Sequence, residues 1–393
     1  MHQSSSSFSI GLVIFLLHFT CSFHRLLAKS KDNNSTTLEH RHFDPNARLH
    51  QAYVALQAWK LVIYSDPSNR TSDWVGPSVC DYTGVYCAPS VDDPHIQVVA
   101  GIDLNHADIA GFLPDELGLL SDLALFHVNS NRFCGILPLT LAKLTLLHEL
   151  DLSNNRFVGR FPMVVLDLPF LKYLDLRYNE FEGPLPSELF AKDLDAIFVN
   201  NNRLTSVIPS NISGSTASVI VFANNNLAGC LPPSIAKLAD SLEELLLINT
   251  NLSGCLTPEV GFLYKLRVLD VSFNNLVGPI PYSIARLEHL EQLDVAHNMM
   301  SGVIPAGICS LPNLKNFTFS YNYFCDEEGP CQNLTGKEVA FDDRQNCLPE
   351  KKSQRSKKDC EAAYANPIDC FENHCGDSAD GMLPPPPLPS AHP

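Results

Sequence analysis

The sequence predicts an α/β solenoid, with about ten coils of 24 residues stacked on a parallel concave sheet and disulfides closing both ends. Two periodic columns and the placement of the cysteines carry that prediction. Gly111, Gly135, Gly159 and Gly183 recur every 24 residues, Ser206 takes the next place, and Gly229, Gly254, Gly278, Gly302 and Asp326 continue the series. A proline follows three residues after most of these positions, at Pro114, Pro138, Pro162, Pro186, Pro209, Pro232, Pro281 and Pro305. Between them each coil reads L-x-x-L-x-L-x-x-N, as in "LHELDLSNN" from Leu147 to Asn155. That combination is a leucine-rich repeat.

The alternating leucines of each coil point into the solenoid, and the residues between them face outward on a short strand. Successive strands stack in parallel. The asparagines Asn131, Asn155, Asn179, Asn202, Asn225, Asn274, Asn298 and Asn322 form a column that can satisfy backbone groups where each coil leaves its strand; Ala107 and Thr250 interrupt it. One coil cannot bury its own apolar face, so the array is one cooperative unit.

Both ends of the array need a cap. "AYVALQAWKLVIYS" has helical periodicity, and Cys80 and Cys87 follow it as a candidate cap disulfide. Cys309, Cys325, Cys331 and Cys347 cluster at the other end; Cys309 and Cys331 are expected in disulfides, but spacing does not fix the pairing. Cys230 and Cys255 each follow a repeat glycine directly, which predicts a bridge between neighbouring coils. Cys134 has no equivalent partner and reads either as a buried thiol or as a pair across a coil edge.

The organisation expected along the chain is a signal peptide at 1–28, a disordered segment at 29–48, an N-terminal cap at 49–98 and repeats at 99–324. A C-terminal cap at 325–347, a cysteine-containing hinge at 348–381 and a short proline-rich tail at 382–393 complete it. The apolar run Ile10–Thr20 is too short to span a bilayer and reads as the core of a secretory signal. Thirteen cysteines and sequons at Asn33, Asn34, Asn69, Asn211, Asn251, Asn316 and Asn333 agree with an oxidising, secretory route. The net charge of −16 favours a basic partner and disfavours nucleic acid. No phosphate-binding loop, dinucleotide fingerprint, zinc-protease motif or nucleophile elbow occurs, so no cofactor, metal or catalytic residue is expected.

The repeat geometry places a row of side chains outward on the concave face, where repeat proteins meet partners. Its candidate peptide-binding residues are Asp151, Tyr173, Asp175, Tyr178, Phe198, Val221, Leu246, Asp270, Phe273, Asp294, His297 and Tyr321. Acidic ends flank an apolar centre, a pattern suited to a basic partner with an apolar patch. Asn251 and Asn316 fall on or beside this face, where a glycan would exclude a partner from the coil. The basic tract Lys351, Lys352, Arg355, Lys357 and Lys358 is a candidate contact for acidic pectin.

"VAGIDLNHADIAGFLPDELGLLSDLALFHVNSNRFCG", "DVSFNNLVGPIP" and "LDVAHNMMSGVIPAGICSLPNLKNFTFSYNYF" resemble the repeats of plant leucine-rich repeat extensins, and "FDDRQNCLPEKKSQRSKKDC" with "PIDC" resembles their cysteine-rich hinge. The resemblance runs from Leu49 to about Cys375. It implies a secreted plant cell-wall or apoplastic glycoprotein without enzyme activity or a membrane span. It further implies binding of small basic cysteine-rich peptides of the rapid alkalinization factor type, a role in wall integrity and growth, and a disulfide-linked homodimer through the hinge. "GMLPPPPLPSAHP" departs from the family's long tyrosine-bearing proline module, which puts covalent wall anchoring in doubt. The alternative is an inhibitor of pectin-degrading enzymes of the polygalacturonase-inhibiting type, against which the hinge argues.

Overall fold

The computed structural model describes residues 46–336, 339–365 and residue 370. The expected signal peptide, most of the segment before the cap, the proline-rich tail, Cys375 and the sequons at Asn33 and Asn34 lie outside the described residues. The cap helix runs Ala47–Val62, starting two residues inside the segment assigned above to the N-terminal extension. Asn46 sets that start: its side chain accepts from the backbone N–H groups of Arg48 and Leu49 at 3.0 and 3.3 Å, satisfying donors the first turn leaves over. Trp59 on the helix is fully buried and meets Trp74, Phe126 and Phe133 at ring distances of 5.8, 5.6 and 5.5 Å. The cap therefore shares its core with the first coils. Cys80 and Cys87 are bridged.

The concave face is a 12-stranded sheet. Its first pairing, Val85–Pro89 with Gln97–Asp103, is antiparallel, and the later ones are parallel. Short strands such as Glu149–Asp151 contribute one buried leucine flanked by two outward residues, here Leu150. Short 3-10 turns such as Leu139–Lys143 make the opposite side. The asparagine column works as a four-bond clamp. Asn298 Oδ1 accepts from Leu276 N at 3.0 Å, and its Nδ2 donates to the carbonyls of Val271, Val295 and Ala296 at 3.0, 3.1 and 3.1 Å. Each group left bare in that buried position costs about 1–3 kcal/mol. The column extends past the expected repeats: the strand Ala340–Asp342 adds to the sheet, and Asn346 takes the clamp position within the region read as cap.

A second ladder, parallel after the antiparallel first pairing of Ile63–Ser65 with Ala110–Gly111, runs along the flank in sheets of seven and four strands. Its register corrects the expected Cys230–Cys255 bridge. Gly229 pairs with Leu252, and Gly254 pairs with Leu276, so partners on this flank are two residues short of the repeat period. At ~3.3 Å per residue along a strand and ~4.8 Å between strands, repeat-equivalent positions stand about 8 Å apart, too far for a disulfide. Cys255 is bonded instead to Cys370 of the hinge, across a sequence separation of 115. Cys230 and Cys134 are also disulfide-bonded, so the free-thiol reading of Cys134 does not hold. Cys309 is bonded to Cys331, and Cys347 to Cys360. Cys325 is the free thiol among the described residues.

The hinge is folded onto the array. Its helix Lys357–Tyr364 starts at Ser356, whose hydroxyl accepts from Asp359 N, and the Tyr364 hydroxyl donates to the carbonyl of Tyr323 at 2.8 Å. With Cys360 and Cys370 both held within the chain, neither is free to join a second copy.

Candidate functional site

Pairing at the full repeat distance puts the outward residues of the concave strands in one row. Asp103, His127, Asp151, Asp175, Phe198, Val221, Leu246, Asp270, Asp294, Thr318 and Asp342 are successive register partners. Phe198, Val221 and Leu246 are half-buried and contiguous at the centre, with carboxylates on both sides.

The two acidic flanks differ. On the first, Asp151 faces Asp175 on the next strand. Asp175 is fully buried. Its Oδ2 accepts from Arg177 Nε at 2.8 Å and from the Tyr173 hydroxyl at 3.3 Å, and its Oδ1 accepts from Arg177 N at 3.1 Å. The Arg177 guanidinium lies 5.0 Å from the centre of the Phe198 ring, which itself meets Tyr173 at 5.8 Å. Burial, and then the charge of Asp151, push the Asp175 carboxyl up to about 6. On the second flank, Asp270 and Asp294 are only half-buried and have small residues two positions on. Asp270 Oδ1 accepts from Ser272 N and Oγ at 2.9 and 2.6 Å, and Asp294 Oδ1 from Ala296 N at 2.9 Å. Burial, followed by Asp270 and Asp342, pushes Asp294 to about 6, and burial also raises Asp270.

A rim of side chains lies just beyond the strands. Tyr178, Phe273, His297 and Tyr321 all have left-handed backbones, with φ of 53°, 56°, 54° and 58°. Elsewhere in that column asparagine mostly takes the conformation, at Asn154, Asn201, Asn224 and Asn249, with His106 and Ser130 at its start. A bulky residue pays roughly 1–2 kcal/mol there. Phe273, His297 and Tyr321 recover part of it by stacking at 4.1 and 4.2 Å. Burial pushes the His297 imidazole below its ordinary value.

The other sequence candidates fall as follows. Asn69, Asn211, Asn251 and Asn316 are exposed. Asn316 begins a concave strand, whereas Asn251 stands off that sheet, donating to Asn226 Oδ1 at 3.0 Å and accepting from Asn275 Nδ2 at 2.7 Å. Asn333 sits in the 3-10 helix Gly329–Gly336. The basic tract is partly committed to the fold. Lys351 pairs with Glu327 and Asp343 at 2.9 and 3.3 Å, and Arg355 donates to the Asn322 carbonyl and lies 4.2 Å from the Tyr323 ring centre. Lys352, Lys357 and Lys358 remain exposed. Sequence reasoning missed Arg177 and Asn200. The available signal was the repeat position two residues after the row residue, which reads Ser153, Arg177, Asn200, Ser272, Ala296 and Arg344.

Among the described residues, no cluster of His, Cys, Asp or Glu side chains is suited to a metal ion, and no helix is long and apolar enough to cross a membrane. Fold and face together define a cystine-braced leucine-rich repeat solenoid with an acidic and aromatic concave surface. The Leucine Rich Repeat family model matches residues 146–168, 170–191, 265–287 and 289–311. "Leucine-rich repeat extensin-like protein 7" of Arabidopsis thaliana is 56% identical over 92% of this chain and 82% of its own length. "Leucine-rich repeat extensin-like protein 6" of the same plant is 57% identical over 84% of this chain and 70% of its own. This chain belongs to the leucine-rich repeat extensin-like family. Its fold is similar to the ectodomain of the Arabidopsis receptor kinase HAESA, solved with a peptide hormone, IDA. That match has 28% identity and a TM-score of 0.66, and covers 77% of this chain and 50% of the receptor's.

Proposed function

We propose that this protein is a non-enzymatic, secreted peptide-binding component of the plant cell wall or apoplast. Its ligands are small basic cysteine-rich signalling peptides of the rapid alkalinization factor type, read out in wall integrity and growth. One observation carries this reading: a single concave row sets carboxylates Asp151, Asp175, Asp270 and Asp294 on either side of the apolar residues Phe198, Val221 and Leu246. A basic peptide with an apolar patch matches that row in charge and in chemistry. The fold it shares with a receptor ectodomain solved with a peptide hormone supports a peptide ligand in general.

The test is calorimetry of the secreted, glycosylated chain against a panel of basic cysteine-rich peptides. Submicromolar binding is expected, weakened at least 100-fold when Asp151, Asp175, Asp270 and Asp294 are all changed to Asn, a loss of about 3 kcal/mol. A folded protein that binds none of the panel overturns the reading, and inhibition of pectin-degrading enzymes then becomes the assay of choice.

A further inference from the structure

We propose that Asp175 is the seat for one guanidinium or ammonium side chain of the incoming basic peptide, and that Arg177 is the protein's own stand-in, displaced on binding. The inference rests on the basic-peptide reading above and specifies where and how that peptide engages. In the free protein the seat is filled. Arg177 Nε meets Asp175 Oδ2 at 2.8 Å, its guanidinium lies 5.0 Å from the centre of the Phe198 ring, and Tyr173 closes another side. Carboxylate and ring face together make a box for a cation of this kind. Asp175 is wholly buried while the Arg177 side chain is 38% exposed. The lid, not the acid, is therefore the part in contact with solvent.

Three further observations point to a ligand. First, the charge is incomplete. Asp151 and Asp175 are register partners on adjacent strands, and among the described residues Arg177 is the one cation paired with them. Second, the buried Asn200 Oδ1 has no hydrogen-bond donor. Asn200 follows Phe198 by two residues and shares its outward parity. It lies beside Arg177, since Tyr178 N donates to the Asn200 carbonyl at 3.0 Å. A buried acceptor without a donor costs about 1–3 kcal/mol, and in this proposal the departure of Arg177 opens it to an N–H group of the peptide. Third, the displaced arginine has somewhere to go. A cavity of about 250 Å³ adjoins it, lined by Asn129, Ser153, Asn154, Arg177 and Tyr178, and so offers side-chain oxygens. Ser153 on the preceding coil and Ser272 and Ala296 on the second flank stand at the equivalent place; the other arginine of this column, Arg344, pairs with Asp342 at 2.8 Å, and that acid is part-exposed where Asp175 is buried.

The test is calorimetry with a linear nona-arginine peptide on the full secreted chain, as wild type, Arg177→Gln, Asp175→Asn and the double variant. Removing the stand-in is expected to tighten binding about tenfold, and Asp175→Asn to weaken it about 30-fold or more, with the double variant as weak as Asp175→Asn. Unchanged or weaker binding by Arg177→Gln overturns the proposal, because Arg177 is then neutral or is itself a peptide contact. If wild type still binds the cysteine-rich panel in that case, the broader reading survives without it. Absence of binding by every folded variant removes both. A measurement on wild type covers the case of a variant that does not fold: the Arg177 Nε–H resonance is expected to lose its carboxylate-bonded shift at peptide saturation, and an unmoved resonance overturns the displacement.

Discussion

The two acidic flanks of the concave row are built from the same repeat position and behave differently. On the first, Asp175 is buried under an arginine and beside a second carboxylate. On the second, Asp294 is half-buried, held by the Ala296 amide, and no ion pair to it is found among the described residues. Both carboxyls are pushed to about 6, led in each case by burial. What differs is the cation. At Asp175 the fold supplies its own cation; at Asp294 it supplies none, and on that flank the arginine of the same column, Arg344, pairs with Asp342 at 2.8 Å. A regular backbone thus yields a closed site and an open one through a single residue, Arg177 against Ala296.

The largest expected effect separates these sites by ligand affinity. A peptide cation seated on Asp175 is desolvated, and losing one member of such a pair costs roughly 2–5 kcal/mol. Asp175→Asn is expected to weaken binding of a basic peptide by 30-fold or more, the lower end of that range. Asp294→Asn, at an open site nearer the 0.2–1 kcal/mol of exposed pairs, should cost less than about fivefold. Calorimetry on the two single variants decides it, and equal losses erase the distinction between the flanks.

Much of this architecture was legible in the sequence, and the reasons are physical. Glycine, proline, leucine and asparagine recur because each coil repeats the same backbone problem, so the solenoid and its concave row follow from the period. Register on the flank did not. The expected Cys230–Cys255 bridge assumed that equivalent residues face each other everywhere, whereas the flank ladder pairs two residues short of the period. Spacing along a chain carries no information about stagger between coils. Cys255–Cys370 was equally out of reach, because it depends on the hinge folding back over the array. At the site, the row of acids was legible, but the lid was not. Arg177 looks like an ordinary exposed charge until its ion pair with buried Asp175 is seen.

The next effect is pH dependence. Asp175 and Asp294 have raised carboxyl values, so the fold favours their protonated forms. Their contribution to stability is therefore full below the ordinary carboxylate range near 4 and is lost as pH rises through about 6. Binding runs the opposite way, since a cation needs the ionised acid. Affinity for a basic peptide is expected to fall by up to tenfold per pH unit below 6, as one essential carboxylate becomes protonated. Asp294→Asn is expected to raise the melting temperature at pH 7.5 and to leave it unchanged at pH 4. A gain of equal size at both values would show that burial does not strain this acid.

The smallest effect contrasts the rims of the same two flanks. Tyr178 and Phe273 share the left-handed conformation, but Phe273 stacks on His297 at 4.1 Å, while Tyr178 has no ring stacked on it among the described residues. Asparagine adopts that backbone readily, so each substitution recovers about 1 kcal/mol of strain. At Phe273 the lost stack returns roughly 0.5–1.5 kcal/mol, leaving little net change. At Tyr178 nothing offsets the gain. Tyr178→Asn should therefore stabilise the protein by about 1 kcal/mol in chemical denaturation, and Phe273→Asn by less than half of that. If both variants lose basic-peptide affinity while only Tyr178→Asn gains stability, the aromatic residues are kept at this strained position for binding. If Tyr178→Asn gains nothing, the repeat backbone imposes no strain at this column, and its aromatic residues need no functional explanation.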